Sequence, residues 1–359
     1  MIEDDKRARF ADPMFGWRST CWPVGDVRAL IPPGTGPARP PHNTPHRRDR
    51  LRRNGKAVRS GMCAKRIPGT NKGDFNEITN RLTRRDFDIL KALEKHKIMT
   101  AGMIEAIFFP SRHQAGARLL TLHELGLLER WRNPESKAYR YVLAWRGQCV
   151  LALIKGEKPP TKQAATFTAQ HQFLSRNRPH TEGINAFFSR LHYSARNHSD
   201  ISVSRLEKDH WITGIEPDGK GEIAWGDGTT LPFWLEHDRG TETLAYLARK
   251  IKSYRDRTIR NPDLRDSVLL IELPSERRLR NFLPVGTEVW KADLPDWENP
   301  TLAVAVCAST PNERTFTHPE EFPDAFTDRR WNILGWTGIH NLLELPAVAR
   351  EIRSPNTAN

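Results

Sequence analysis

The chain has 359 residues, with 56 Lys and Arg against 43 Asp and Glu, a formal net charge of +13 and a pI of about 9.8. Hydrophobic residues make up 38%, low for a wholly folded chain of this length, and no run of about 18 apolar residues offers a membrane span. The cationic excess favours nucleic acid or another polyanion as partner, through phosphate neutralisation and counterion release.

Cys21, Cys63, Cys149 and Cys307 are scattered and form no CxxC pair. Neither a zinc finger nor a disulfide framework is expected, and a reducing cytoplasm fits. The first residues include Glu3, Asp4 and Asp5 and lack a signal-peptide core.

Residues 1–78 read as a disordered basic arm. Ile31 to Pro41 has the Pro/Gly density of a linker, and Arg39 to Arg66 carries ten basic residues against one acid, Asp49. Translation starting at Met62 is an alternative reading of the arm. Order is expected from Leu82. Thr83 and Asp86 have the spacing of a capping box, followed by Phe87, Leu90 and Leu93 on one helical stripe. A second helix covers Thr100–Phe108 and stops at Pro110. Ser111 and Gln114 open a third, with Ala115, Leu119 and Leu122 inward and Gly126 as its left-handed stop.

Two short runs, Leu127–Trp131 and Ala138–Leu143, flank turn residues Asn133 to Ser136, which is a hairpin pattern. Three helices then a hairpin is the order of a winged helix-turn-helix, assigned to 79–154. A ferredoxin-like or helix-plus-ribbon packing reads similarly. In a winged helix the third helix reads double-stranded DNA in the major groove. Arg112, His113, Gln114 and Arg118 are therefore candidate base or groove contacts, and Arg130, Arg132, Lys137 and Arg140 candidate phosphate contacts. The alternative is that these charges only solvate an outer face.

Residues 155–164 read as a linker with charge, Gly and paired Pro. Residues 165–350 form a mixed α/β domain. One or two helices reach about Arg196, strands lie at Trp211–Ile215, Ile223–Trp225, Phe233–Asp238, Ser267–Leu273 and Thr301–Cys307, and a helix spans Thr241–Arg257. Residues 351–359 fray.

The segment around Glu236 carries the chemistry. If Phe233–Asp238 is a strand, Trp234, Glu236 and Asp238 share one face and Phe233, Leu235 and His237 the other. Paired carboxylates on one face need a cation, hydrogen bonds or water. Asp218, Glu236 and Asp238 are candidate ligands for Mg²⁺ or Mn²⁺ in phosphodiester hydrolysis, with Lys250 adding charge stabilisation from the following helix. A solvated strand face is the plainer alternative. His237 points away from the acids, and His180, Glu182 and Asn185 suit core or capping roles.

The run Leu82–Arg146, followed by His180-Thr-Glu-Gly-Ile-Asn185, Glu216-Pro-Asp-Gly219, Leu235-Glu-His-Asp-Arg-Gly-Thr-Glu242 and Lys250-Ile-Lys-Ser-Tyr254, resembles the replication-relaxation family of bacterial plasmids and integrated elements. The resemblance spans roughly residues 80–345. It implies a winged helix joined to a restriction-endonuclease-like domain of the PD-(D/E)xK type, acting in replication, relaxation or mobilisation. It matches Asp218 and Glu236 to the acidic signature positions. Asp238 stands where that signature has lysine, so Lys250 either replaces it or the site is degenerate. The other reading is a non-catalytic transcriptional or copy-number regulator whose C-terminal domain serves homodimerisation or partner binding. No small-molecule cofactor is expected.

Overall fold

A computed structural model describes residues 77–132, 138–205, 215–260, 267–292, 302–316 and 318–353. The basic arm up to residue 76, Asn133 to Lys137, Trp211 to Gly214 and the final residues from 354 lie outside them.

The N-terminal unit contains α1 (Arg84–His96), β1 (Met99–Thr100), α2 (Ala101–Phe108), α3 (Arg112–Glu124), β2 (Leu128–Arg132), β3 (Tyr139–Leu143) and α4 (Trp145–Ile154). Asp86 accepts the Thr83 backbone N–H at 2.6 Å, forming the expected box. The Thr100 and Ser111 hydroxyls cap the next two helices. Gly126 closes α3 at φ +69°, a conformation that costs a residue with a Cβ. β2 and β3 form an antiparallel hairpin with Leu128 opposite Leu143 and Arg132 opposite Tyr139, and β1 joins the outer side of β3. Ile89, Leu90, Leu93, Met103, Ile104, Leu119 and Leu122 fill the core.

The rest is mixed α/β. After α5 (Lys162–Leu174) and α6 (Arg178–Ala195), seven strands form one sheet: β4 (Ile201–Arg205), β5 (Gly219–Trp225), β6 (Thr230–His237), β7 (Val268–Leu273), β8 (Ala303–Ala308), β9 (Trp331–Ile333) and β10 (Ile339–His340). Their spatial order is 10-9-8-7-6-5-4. β6, β7 and β8 are parallel, which requires crossovers, supplied by α7 (Leu244–Arg260) and α8 (Glu276–Lys291). The other pairings are antiparallel. Short α9 (Pro311–Thr315) and terminal α10 (Leu345–Arg353) complete the chain. β7 is buried throughout, so its apolar run Val-Leu-Leu-Ile matches a strand covered on both faces.

Several sequence expectations shift. β5 begins at Gly219 rather than Ile223, α7 starts at Leu244 and reaches Arg260, and α5 begins inside the expected linker. Of the strand expected at Trp211–Ile215 only Ile215 is described, and it is irregular. β4, β9, β10, α8 and α10 were not anticipated.

Helix α6 fixes the two units together. Its Asn185 amide donates to the carbonyls of His96 (3.0 Å) and Ile98 (2.8 Å) in the N-terminal unit. Its Glu182 pairs with Arg140 of β3 at 2.7 Å, both almost wholly buried. Arg196, the residue that ends α6, donates to the carbonyl of Glu105 in α2. Ala186 of α6, and Phe316 at the end of α9, pack into the N-terminal core. A buried ion pair is worth most when both partners are present, because losing one strands the other's charge. Glu182→Ala should therefore lower unfolding free energy by about 3 kcal/mol in urea titrations, whereas a substitution at exposed Lys162 should leave it unchanged.

Candidate functional site

The β5–β6 hairpin assembles the acidic group. Its register pairs Gly219 with Leu235, so Asp218, just before β5, comes level with Glu236 at the end of the sheet. Gly219 permits this close packing, since a Cβ there would lie 2.9 Å from the Phe188 ring of α6. Period-two alternation then divides β6 as expected. Phe233 stacks on Phe188 of α6, whereas Trp234 stacks on Tyr254 of α7. The helices therefore cover opposite faces of the sheet, and the site lies where their ends meet the ends of the strands.

A cleft of about 210 Å³ opens there, lined by Asn177, His180, Asp218, Glu236, His237, Asp238, Arg239, Thr241, Glu242, Leu247 and Lys250. Asp218, Glu236, Asp238 and Lys250 thus share one cavity. Their carboxylate oxygens are already engaged. Glu236 accepts from the Tyr254 hydroxyl at 2.6 Å and from Lys250 Nζ at 3.0 Å. Asp218 meets His180 Nε2 at 2.9 Å and accepts the His237 backbone N–H at 2.8 Å. Asp238 is paired with Arg278 of α8 and accepts the Gly240 N–H at 2.9 Å. Lys250 also reaches Glu242 at 3.3 Å.

Burial, and then the negative charge of Asp218, raise the Glu236 carboxyl above its usual range. Burial alone would lower the Lys250 ammonium, but Glu236 and Glu242 outweigh it and hold that group more firmly protonated. The Asp218 hydrogen bond raises His180 above the ordinary histidine value.

A hard divalent cation needs several oxygens gathered around one point. Among the described residues no group of three or more His, Cys, Asp or Glu side chains is arranged to hold a metal ion. Asp238 is the clearest departure from the sequence expectation: almost wholly buried, it serves as the counter-ion of Arg278.

Arg278 is a partner that the sequence does not single out, and His180, expected in a core or capping role, lines the cleft against Asp218. His180 lies one turn before Gly183, the residue that admits the His237 ring; a Cβ at position 183 would lie 2.0 Å from His237 Nε2. That relation is invisible without knowing that β6 docks on α6. The expected orientation of His237 holds, since its ring leaves the acidic group and bonds Glu272 at 2.8 Å.

The candidate DNA contacts divide. Arg112, His113, Gln114 and Arg132 are exposed, with Arg112 3.1 Å from His318 Nδ1. Arg130 and Arg132 lie over Tyr139. Lys137 falls outside the described residues. Arg118 and Arg140 are placed differently from the expectation of outward contacts. Arg118 makes a two-pronged pair with fully buried Asp86, and Arg140 is buried against Glu182. In each case a buried carboxylate needs a cationic partner, and the nearby arginine supplies it.

Behind the cleft, Glu272 also meets Arg190 at 3.3 Å, and Arg190 bonds Glu313 at 2.8 Å. Burial pushes the Glu272 carboxyl up, but the His237 hydrogen bond and the Arg190 and Arg330 charges overcome it and bring it down to about 2. A carboxyl lowered by folding stabilises above its ordinary pKa, and that contribution is lost as the pH falls toward the folded value. Unfolding free energy should therefore drop between about pH 4.5 and about pH 2, by about 3 kcal/mol from this group. Urea titrations across that range should show a shallower acid limb in Glu272→Gln; identical limbs would remove Glu272 from the account.

Residues 90–261, which span α1 from its second turn through α7, match the model of the replication-relaxation family. No curated protein and no solved structure matches the chain. Over residues 90–261, then, this chain is similar to the replication-relaxation family.

Proposed function

We propose that this protein binds double-stranded DNA of a plasmid or other mobile element and acts in its replication, relaxation or mobilisation. The N-terminal unit is read as a winged helix-turn-helix, with α3 in the major groove and the β2–β3 hairpin as the wing. The observation that carries this reading is the division of α3. Ala115, Leu119 and Leu122 are buried, while Arg112, His113 and Gln114 lie exposed together on its first turn. Arg and Gln side chains suit the edges of guanine and adenine. Arg130 and Arg132 on the hairpin suit phosphates. The similarity of residues 90–261 to the replication-relaxation family and the net charge of +13 support the same conclusion.

Two outcomes test it. Duplexes selected from a random library should bind with an affinity that falls steeply with salt. Gln114→Ala should weaken the selected duplex about tenfold or more and relax the preference at one position. A flat salt dependence, or unchanged selection by Gln114→Ala, overturns the assignment.

Strand cleavage is a second reading, favoured by the approach of Lys250 to Glu236 from the helix after the signature strand. It requires Asp218 and Glu236 to exchange His180 and Lys250 for a cation such as Mg²⁺ or Mn²⁺, with Asp238 released from Arg278 if it is to serve as a third ligand. Nicking of supercoiled plasmid with either metal, abolished in Glu236→Gln, is the expected signature. Absence of nicking with both metals leaves the non-catalytic binding reading.

A further inference from the structure

Tyr246 lies on the outer side of α7, 46% exposed, one turn before Lys250. Two cations lie near its ring on the helix surface: the Arg249 guanidinium and the Lys250 ammonium are each 5.6 Å from its centroid. Lys250 lines the cleft, and so does exposed Arg239, which donates to the Arg176 carbonyl across the mouth. Within the cleft each acid has a polar or charged partner: Asp218 meets His180, Glu236 and Glu242 share Lys250, and Asp238 pairs with Arg278. The rim therefore offers an aromatic face and exposed guanidinium groups beside acids that already hold partners.

Exposed aromatics interleaved with cations are the physical requirement for holding unpaired bases. Every base has a π-face to stack, and the cations track the backbone. Duplex bases are already stacked on each other and cannot use such a platform. We propose that the cleft rim binds single-stranded DNA, with an unpaired base stacked on Tyr246 and the flanking phosphates met by Arg239 and Arg249. This deepens the DNA reading above: the N-terminal unit finds duplex, and the rim takes the separated strand.

The test uses the full chain and a fluorescein-labelled oligothymidine, followed by anisotropy beside a duplex probe. Tyr246→Ala should weaken oligothymidine binding about tenfold, Tyr246→Phe should retain it, and duplex binding should be unchanged in both. Arg249→Ala should flatten the salt dependence for oligothymidine. The proposal is overturned if Tyr246→Ala binds oligothymidine like wild type, if it weakens the duplex equally, or if wild type does not bind oligothymidine. In the last case intact duplex binding sinks the strand site alone, whereas loss of both ligands also sinks the DNA reading.

Discussion

Burial of a polar helix is the constraint on which this structure depends. α6 is buried along most of its length, yet it carries Glu182, Asn185, Ser189, Arg190 and His192 into the interior. Each buried polar group costs free energy unless it finds a partner. For Glu182, Asn185 and Arg190 those partners come from elsewhere in the chain: Arg140 in β3, the carbonyls of His96 and Ile98, Glu272 in β7 and Glu313 in α9. Satisfying α6 therefore sets the position of the N-terminal unit against the sheet. The exposed turn of α3 and the cleft acquire a defined relation through the same helix.

The same accounting explains the cleft. Carboxylates brought to one place repel each other and resist dehydration. Here cationic or hydroxyl partners from α6, α7 and α8 meet them, with Arg255 fastening α7 to the carbonyl end of α8 through Val289, Trp290 and Ala292. The outcome is a hollow whose carboxylates all hold partners, with cations on its edge, a different object from an open acidic pocket.

What the sequence made legible was local. Capping residues Thr83 and Ser111 mark the first and third N-terminal helices, Gly126 marks the end of the third, and alternation along β6 separates Glu236 from His237 correctly. The long stem of Lys250 reaches Glu236 as its place on α7 implied. What failed was non-local. Arg118 looked like a groove contact because its partner, Asp86, lies 32 residues away and looked only like a cap. Arg140 and Asp238 were misjudged for the same reason. α8 was missed because Pro284 lies inside it, a residue that argues against a helix until Leu279, Phe282 and Trp290 are seen packed on the sheet.

One consequence concerns chain length. Asp218 and Glu236 meet only because β5 and β6 keep the register that sets Gly219 opposite Leu235. Adding or removing a single residue within either strand would exchange its inner and outer side chains beyond that point. The turn joining them, with Gly228 at φ +88° and Asp227 accepting from Thr229, lies at the far end of the hairpin and can absorb such changes. Insertions and deletions in relatives should collect between Gly226 and Thr229, while the spans leading back to the two carboxylates keep constant length.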